Sequence, residues 1–208
     1  MTREVKRAAE DCTLMATDHE NEESLAERRF GWSNMFVEPD DDPRSSAASV
    51  GERGTLTDYL HAYRQTLELK CQGLDAEQMV RRSVPPSDLS LLGLVRHMAD
   101  VERNWFRVVL AGEEAPHHFG GDDDWDAAFL DATPATAGIE EAWSAWRQEV
   151  DFAGRFVDSC PDLDRTGVMS NGQPIALREV LIHMIEEYAR HCGHADLIRE
   201  RIDGRVGQ

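Results

Sequence analysis

The sequence predicts an all-α protein, an antiparallel up-down four-helix bundle preceded by an extended amino-terminal arm. Three observations carry this prediction. Four segments repeat apolar residues in alternating steps of four and three, the rhythm of a helix with one buried stripe. One short, one long and one medium connection join them, which suits helices packed side by side. No stretch shows the every-second-residue alternation of a half-buried strand.

Composition bounds the answer further. A chain of 208 residues holds one domain of ordinary size with length to spare, and 41% hydrophobic residues suffice for a core. The formal net charge of −18 argues against nucleic acid or an anionic membrane surface as partner. Nothing approaches the roughly 18 consecutive apolar residues of a membrane span. Residues 1–6 lead into no signal-peptide core, so a cytoplasmic location is expected. Cys12, Cys71, Cys160 and Cys192 lack CxxC spacing and read as reduced thiols.

Taken in order, residues 1–50 read as an extension, disordered or loosely docked. The runs at 18–23 and 38–43 are solvated and acidic, and residues 45–49 resemble a linker. Phe30, Trp32, Met35 and Phe36 are its only anchors, and Met35 is an alternative start. Residues 51–208 form the bundle proper. Leu56, Leu60, Tyr63 and Leu67 predict a first helix over about residues 55–73, with Gly73 as its cap. Val84-Pro85-Pro86-Ser87 excludes helix. Ser87 or Ser90 then caps a second helix reaching about residue 111, with Leu91, Leu94, Met98, Val101, Trp105 and Val108 on its stripe and His97 at the border. Residues 112–137 form a loop long enough to be functional or mobile. Ile139, Trp143, Trp146, Val150, Ala153 and Val157 predict a third helix over about residues 139–159. Asn171-Gly172 marks a turn before the fourth, which ends at Gly204 and has Ala176 where a capping side chain would fit.

The fourth helix carries the chemistry. Leu177, Leu181, Met184, Tyr188, Ala195, Ile198 and Ile202 make its stripe, broken where His191 takes an apolar position. At about 100° per residue, Glu187 lies about 40° from His191, with His194 and His183 further along the same flank. A histidine in the stripe with a carboxylate one turn earlier needs a partner. A metal ion is one, and a hydrogen-bonded buried polar cluster is the plainer alternative.

Ser90-Leu91-Leu92-Gly93-Leu94-Val95-Arg96-His97-Met98-Ala99 and Glu187-Tyr188-Ala189-Arg190-His191-Cys192-Gly193-His194-Ala195-Asp196 resemble the second and fourth helices of the DinB/YfiT-like superfamily. More narrowly, they resemble an actinobacterial branch of unknown function related to mycothiol-dependent enzymes. The likeness covers about residues 51–205. It implies a divalent metal held by one histidine of the second helix and two ligands one turn apart on the fourth. Many such proteins carry two histidines on the fourth helix, whereas mycothiol-dependent maleylpyruvate isomerases carry a glutamate first. Matching on Gly193 makes the implied ligands His97, Glu187 and His191, and the last two are the pair that helical geometry selects. Two imidazoles and a carboxylate suit Zn²⁺, with Ni²⁺ as the alternative, and leave coordination positions open.

The implied activity is metal-dependent S-transfer, in which mycothiol or a similar low-molecular-weight thiol attacks a small electrophile. The rivals are a non-catalytic metal-binding protein, acting in a stress response or as a homodimeric interaction module, and a metal-dependent hydrolase. Among other residues, His194 and His183 read as rim or supporting groups. Cys192, about 100° from His191, reads as core. His117 and His118 read as solvated loop residues, Arg190 and Glu186 as outer-flank charges, and Trp105, Trp143 and Trp146 as core. In a simply alternating bundle the 112–137 loop lies at the end away from the site, and reaches it only by folding back or from a second subunit.

Overall fold

Four long helices and a small hairpin make up the computed structural model, which describes residues 37, 39–44, 49–121, 124, 126–130, 132 and 138–206. Helix α1 (Gly51–Cys71) leads to the short α2 (Ala76–Val80). Helix α3 (Leu91–Glu102) continues into a π-helical segment, Arg103–Leu110. A single turn, α4 (Ala127–Leu130), precedes α5 (Ile139–Ser159). Strands β1 (Thr166–Val168) and β2 (Pro174–Ala176) pair antiparallel before α6 (Leu177–Asp203). No helix among the described residues is long and apolar enough to cross a membrane.

Most of the arm expected over residues 1–50 lies outside the described residues. Its far end rests on α1, where Arg44 is held by Asp42 at 2.7 Å and donates to Thr66 Oγ1 at 3.2 Å.

Local chemistry sets the helix ends. Ser90, rather than Ser87, caps α3 by accepting from the Gly93 N–H at 3.1 Å. At the start of α6, Glu179 accepts from the Ala176 N–H at 2.9 Å, so half of a capping box stands in for the missing cap side chain. Gly204 ends α6 with φ +78°, a left-handed conformation that glycine adopts without strain. The hairpin went unread because its strands have three residues each, too short for a pattern of period two. Its Gly167 packs against the backbone of Val109 and Leu110, leaving no room for a side chain.

The predicted stripes are mostly the buried ones. Leu60, Leu67, Leu91, Leu94, Met98, Trp146, Ala153, Leu177, Leu181, Met184, Tyr188, Ala195 and Ile198 all lie in the core. Leu56, Tyr63, Ile139, Trp143, Val150 and Ile202 of the stripes are only partly buried and pack against that core, and the register itself departs at the end of the second bundle helix. There Phe106, Val109 and Leu110 are buried, while Trp105 and Val108 are only partly so. The wider π turn moves the stripe on by one residue.

Residue pairs give the direction of each helix. His183, Tyr188 and His191 of α6 meet Trp105, Glu102 and His97 in turn, so α6 runs antiparallel to α3. Glu52, Tyr63 and Lys70 of α1 meet Arg178, Cys192 and Asp196, so α1 runs with α6. Arg103 pairs with Glu149 and Arg107 stacks over Phe152, so α5 runs with α3. Arg53 donates to the Val157 carbonyl while Arg147 faces Glu68, so α5 opposes α1. The all-α bundle is as expected, but its sense is up-down-down-up rather than simply alternating. A short second connection would force α5 to oppose α3, and a long one does not.

The long loop therefore has to return along α3. The Asp100 carboxylate, fully buried, accepts from the backbone N–H groups of His118 (2.5 Å), Phe119 (3.1 Å) and Gly120 (2.8 Å). Arg96 lies over the Phe119 ring at 4.8 Å, and further along Phe129 presses on Gly93, whose missing side chain admits it. Folding back is one of the two routes by which this loop was expected to reach the site.

Candidate metal centre

Two helices build the centre. Helix α3 contributes His97 and α6 contributes Glu187 and His191, one turn apart. One nitrogen or carboxylate oxygen from each of the three falls within 4.8 Å of the others, and this is the one such group of ligand type among the described residues. The His97 and His191 rings meet edge to face, 4.7 Å between centroids. His191 Nε2 lies 3.4 Å from Glu187 Oε2. The sequence argument placed Glu187 and His191 on one face, and the fold brings His97 to them across the helix pair.

Burial tunes both imidazoles. Desolvation, assisted by His191, pushes the His97 pKa down to about 3. Desolvation also lowers His191 to about 4, against the opposing pull of Glu187. Both rings are therefore neutral at physiological pH, each with one nitrogen lone pair to offer and one N–H. Two neutral imidazoles and a carboxylate converging from two helices form a donor set that could hold a divalent metal ion.

The surroundings sort the other candidates. His194 Nδ1 lies 3.4 Å from His191 Nδ1, so one ring can donate to the other and fix which His191 nitrogen faces Glu187. His183 Nε2 stands 3.8 Å from the other Glu187 oxygen and packs on Trp105 at 4.6 Å. Arg190 donates to Glu187 at 3.1 Å, and Glu186 is exposed.

Cys192 points elsewhere, its Sγ 3.8 Å from the Tyr63 carbonyl and its thiol pushed up to about 12 by burial. The loop histidines keep solvent contact, His118 exposed and His117 partly so, but each also meets a carboxylate. His118 Nε2 lies 3.1 Å from Glu149, which also accepts from Arg103 and Arg107, and His117 faces Asp100 at 3.8 Å. Neither joins the three-residue group.

Sequence reasoning overlooked Phe129. Its ring lies 4.8 Å from that of His97 and 6.4 Å from that of His191, so the return loop supplies an apolar wall. No spacing within one helix could signal a contact that depends on the loop's return.

Comparison with known proteins follows the same lines. A family model described as mycothiol-S-transferase matches residues 55–204. No curated protein matches the chain. Among solved structures, a conserved protein from Enterococcus faecalis superposes with a TM-score of 0.53 and 14% identity, over 75% of this chain and 99% of that one. At that identity the likeness speaks for the fold alone.

Proposed function

The chain belongs to the mycothiol-S-transferase family, and from that premise we propose that it is a metal-dependent thiol S-transferase. Its expected co-substrate is mycothiol or a similar low-molecular-weight thiol, and its second substrate a small electrophile. His97, Glu187 and His191 would hold the ion, zinc before nickel given two imidazoles and one carboxylate. When bound, the cation supplies a positive charge that favours the thiolate over the thiol at neutral pH.

The chain's own residues account for the rest. His97 and His191 stay unprotonated because burial denies them charge, so neither competes with an ion by taking a proton near neutrality. His194 steadies His191, and Arg190 and His183 flank Glu187. The observation that carries the reading toward an external thiol is the placement of the internal ones. Cys71, Cys160 and Cys192 are free and buried, and burial raises Cys71 and Cys192 to about 12. None of these three described thiols is an available nucleophile, which supports an attacking sulfur supplied by a co-substrate. That sulfur forms the new bond to carbon, its proton passes to solvent, and the leaving group departs with the electron pair. A cytoplasmic location, where such thiols stay reduced, completes the proposal.

The test is conjugation of a generic haloarene electrophile by the zinc-loaded protein, with mycothiol, another small thiol, or none. Turnover that requires the thiol and stops in His191→Ala supports the proposal. Product release without thiol indicates a hydrolase, and no turnover with full metal occupancy indicates a binding protein.

A further inference from the structure

A histidine side chain ends in a torsion that is broad and roughly two-fold, so the backbone alone does not aim its ring. His97 is partly buried and needs neighbours to fix it. One is His191, at 4.7 Å on one side. The other is Phe129, at 4.8 Å and tilted by 31°, within the range in which aromatic rings attract. Phe129 also lies 6.4 Å from His191, so seen from His97 the two rings stand roughly at a right angle and Phe129 closes a flank that His191 leaves open.

Phe129 does not hold this place through its own helix, which is a single turn. The return loop is pinned upstream, where the buried Asp100 carboxylate accepts three consecutive backbone N–H groups. Downstream, Arg82 donates to the Leu130 carbonyl at 3.0 Å. Between these anchors, the Phe129 backbone sits against Gly93, where an added Cβ would lie 3.2 Å from its Cα.

We propose that Phe129 is a positioning residue for His97, held in place by Asp100 through the loop backbone. It aims the imidazole at the space shared with Glu187 and His191 and keeps water off its outer face. This rests on the metal reading above, and assigns a role to a loop that the reading does not otherwise use.

The experiment measures zinc affinity by competition with a chromophoric chelator in wild type, Phe129→Ala, Phe129→Leu, Asp100→Asn and the double variant Phe129→Ala/Asp100→Asn. Asparagine keeps the shape at position 100 but turns an amide toward loop donors. Circular dichroism confirms folding, and carbethoxylation of His97 in metal-free protein, located by mass spectrometry, gives a readout independent of the ion. Loss of an outer partner of a ligand typically weakens metal binding about 10- to 100-fold. We expect Phe129→Ala to lose about tenfold and to expose His97 to faster modification, and Phe129→Leu to recover most of both. Asp100→Asn should shift both readouts the same way, and the double variant should be little worse than Phe129→Ala, because the two act by one route. Folded Phe129→Ala with wild-type zinc affinity overturns the proposal alone. Wild-type protein that binds neither zinc nor nickel overturns the metal reading, and the proposal with it.

Discussion

Tyr188 donates to Glu102 at 2.8 Å in the middle of the bundle, and neither side chain is exposed. Trp146 donates to the Tyr188 oxygen at 2.8 Å, and Arg64 grips Glu102 with two hydrogen bonds of 2.7 Å. One polar chain thus crosses α1, α3, α5 and α6, immediately beside Glu187. Such a network fixes helix register only when every member is satisfied.

Breaking it should cost according to what is left behind. Tyr188→Phe removes an acceptor from Trp146 and a donor from Glu102, for about 1–3 kcal/mol. Glu102→Ala leaves the Arg64 guanidinium buried without its counter-charge, for about 3–5 kcal/mol. Urea unfolding of both variants checks the order. Glu102→Ala milder than Tyr188→Phe would contradict it.

Histidine 194 should modulate the centre without defining it. Because it contacts His191 rather than the shared space, His194→Ala should still bind zinc, about tenfold more weakly. Isothermal titration checks this, and complete loss of binding would make His194 a ligand in place of one of the three.

The buried thiols give a pH signature. Cys71 and Cys192 have folded pKa values of about 12, above the ordinary value of 9.0. Their contribution to stability is therefore complete below about pH 9 and is lost as pH rises toward 12, because the unfolded chain releases those protons first. In native protein Cys71 and Cys192 should react slowly with a disulfide reagent at pH 8, and quickly once guanidinium unfolds the chain, as peptide mapping of the labelled sites shows. Rapid native labelling of Cys192 would reopen its case as a nucleophile.

The loop histidines should matter for the loop and not for the ion. His118→Ala removes one contact to Glu149 but leaves the backbone N–H that Asp100 accepts. Metal stoichiometry should stay at the wild-type level in His117→Ala and His118→Ala, with any transfer rate within tenfold. Elemental analysis checks the first half, and a loss of metal in either variant would place that histidine at the centre.

What the sequence revealed depended on range. Stripes such as Leu177-Leu181-Met184-Tyr188 were legible because helical period is a local property, and the Glu187–His191 pair was legible for the same reason. His97 as their partner was legible only through resemblance, since nothing local says which helix lies opposite. The sense of α5 was hidden because a long connection permits either direction. Phe129, Asp100 and Glu149 stayed unread with it. The register shift at Trp105 depends on a π turn, which propensity does not encode.

The account's central claim is that one divalent ion is held by side chains from two helices. Its most direct measurement is elemental analysis after equilibrium dialysis against zinc, for wild type and for His97→Ala, Glu187→Ala and His191→Ala. Three converging ligands predict about one zinc per wild-type chain and strong depletion in each variant, together with a lower melting temperature for chelator-treated wild type. Full zinc occupancy in folded His97→Ala or His191→Ala would contradict the claim.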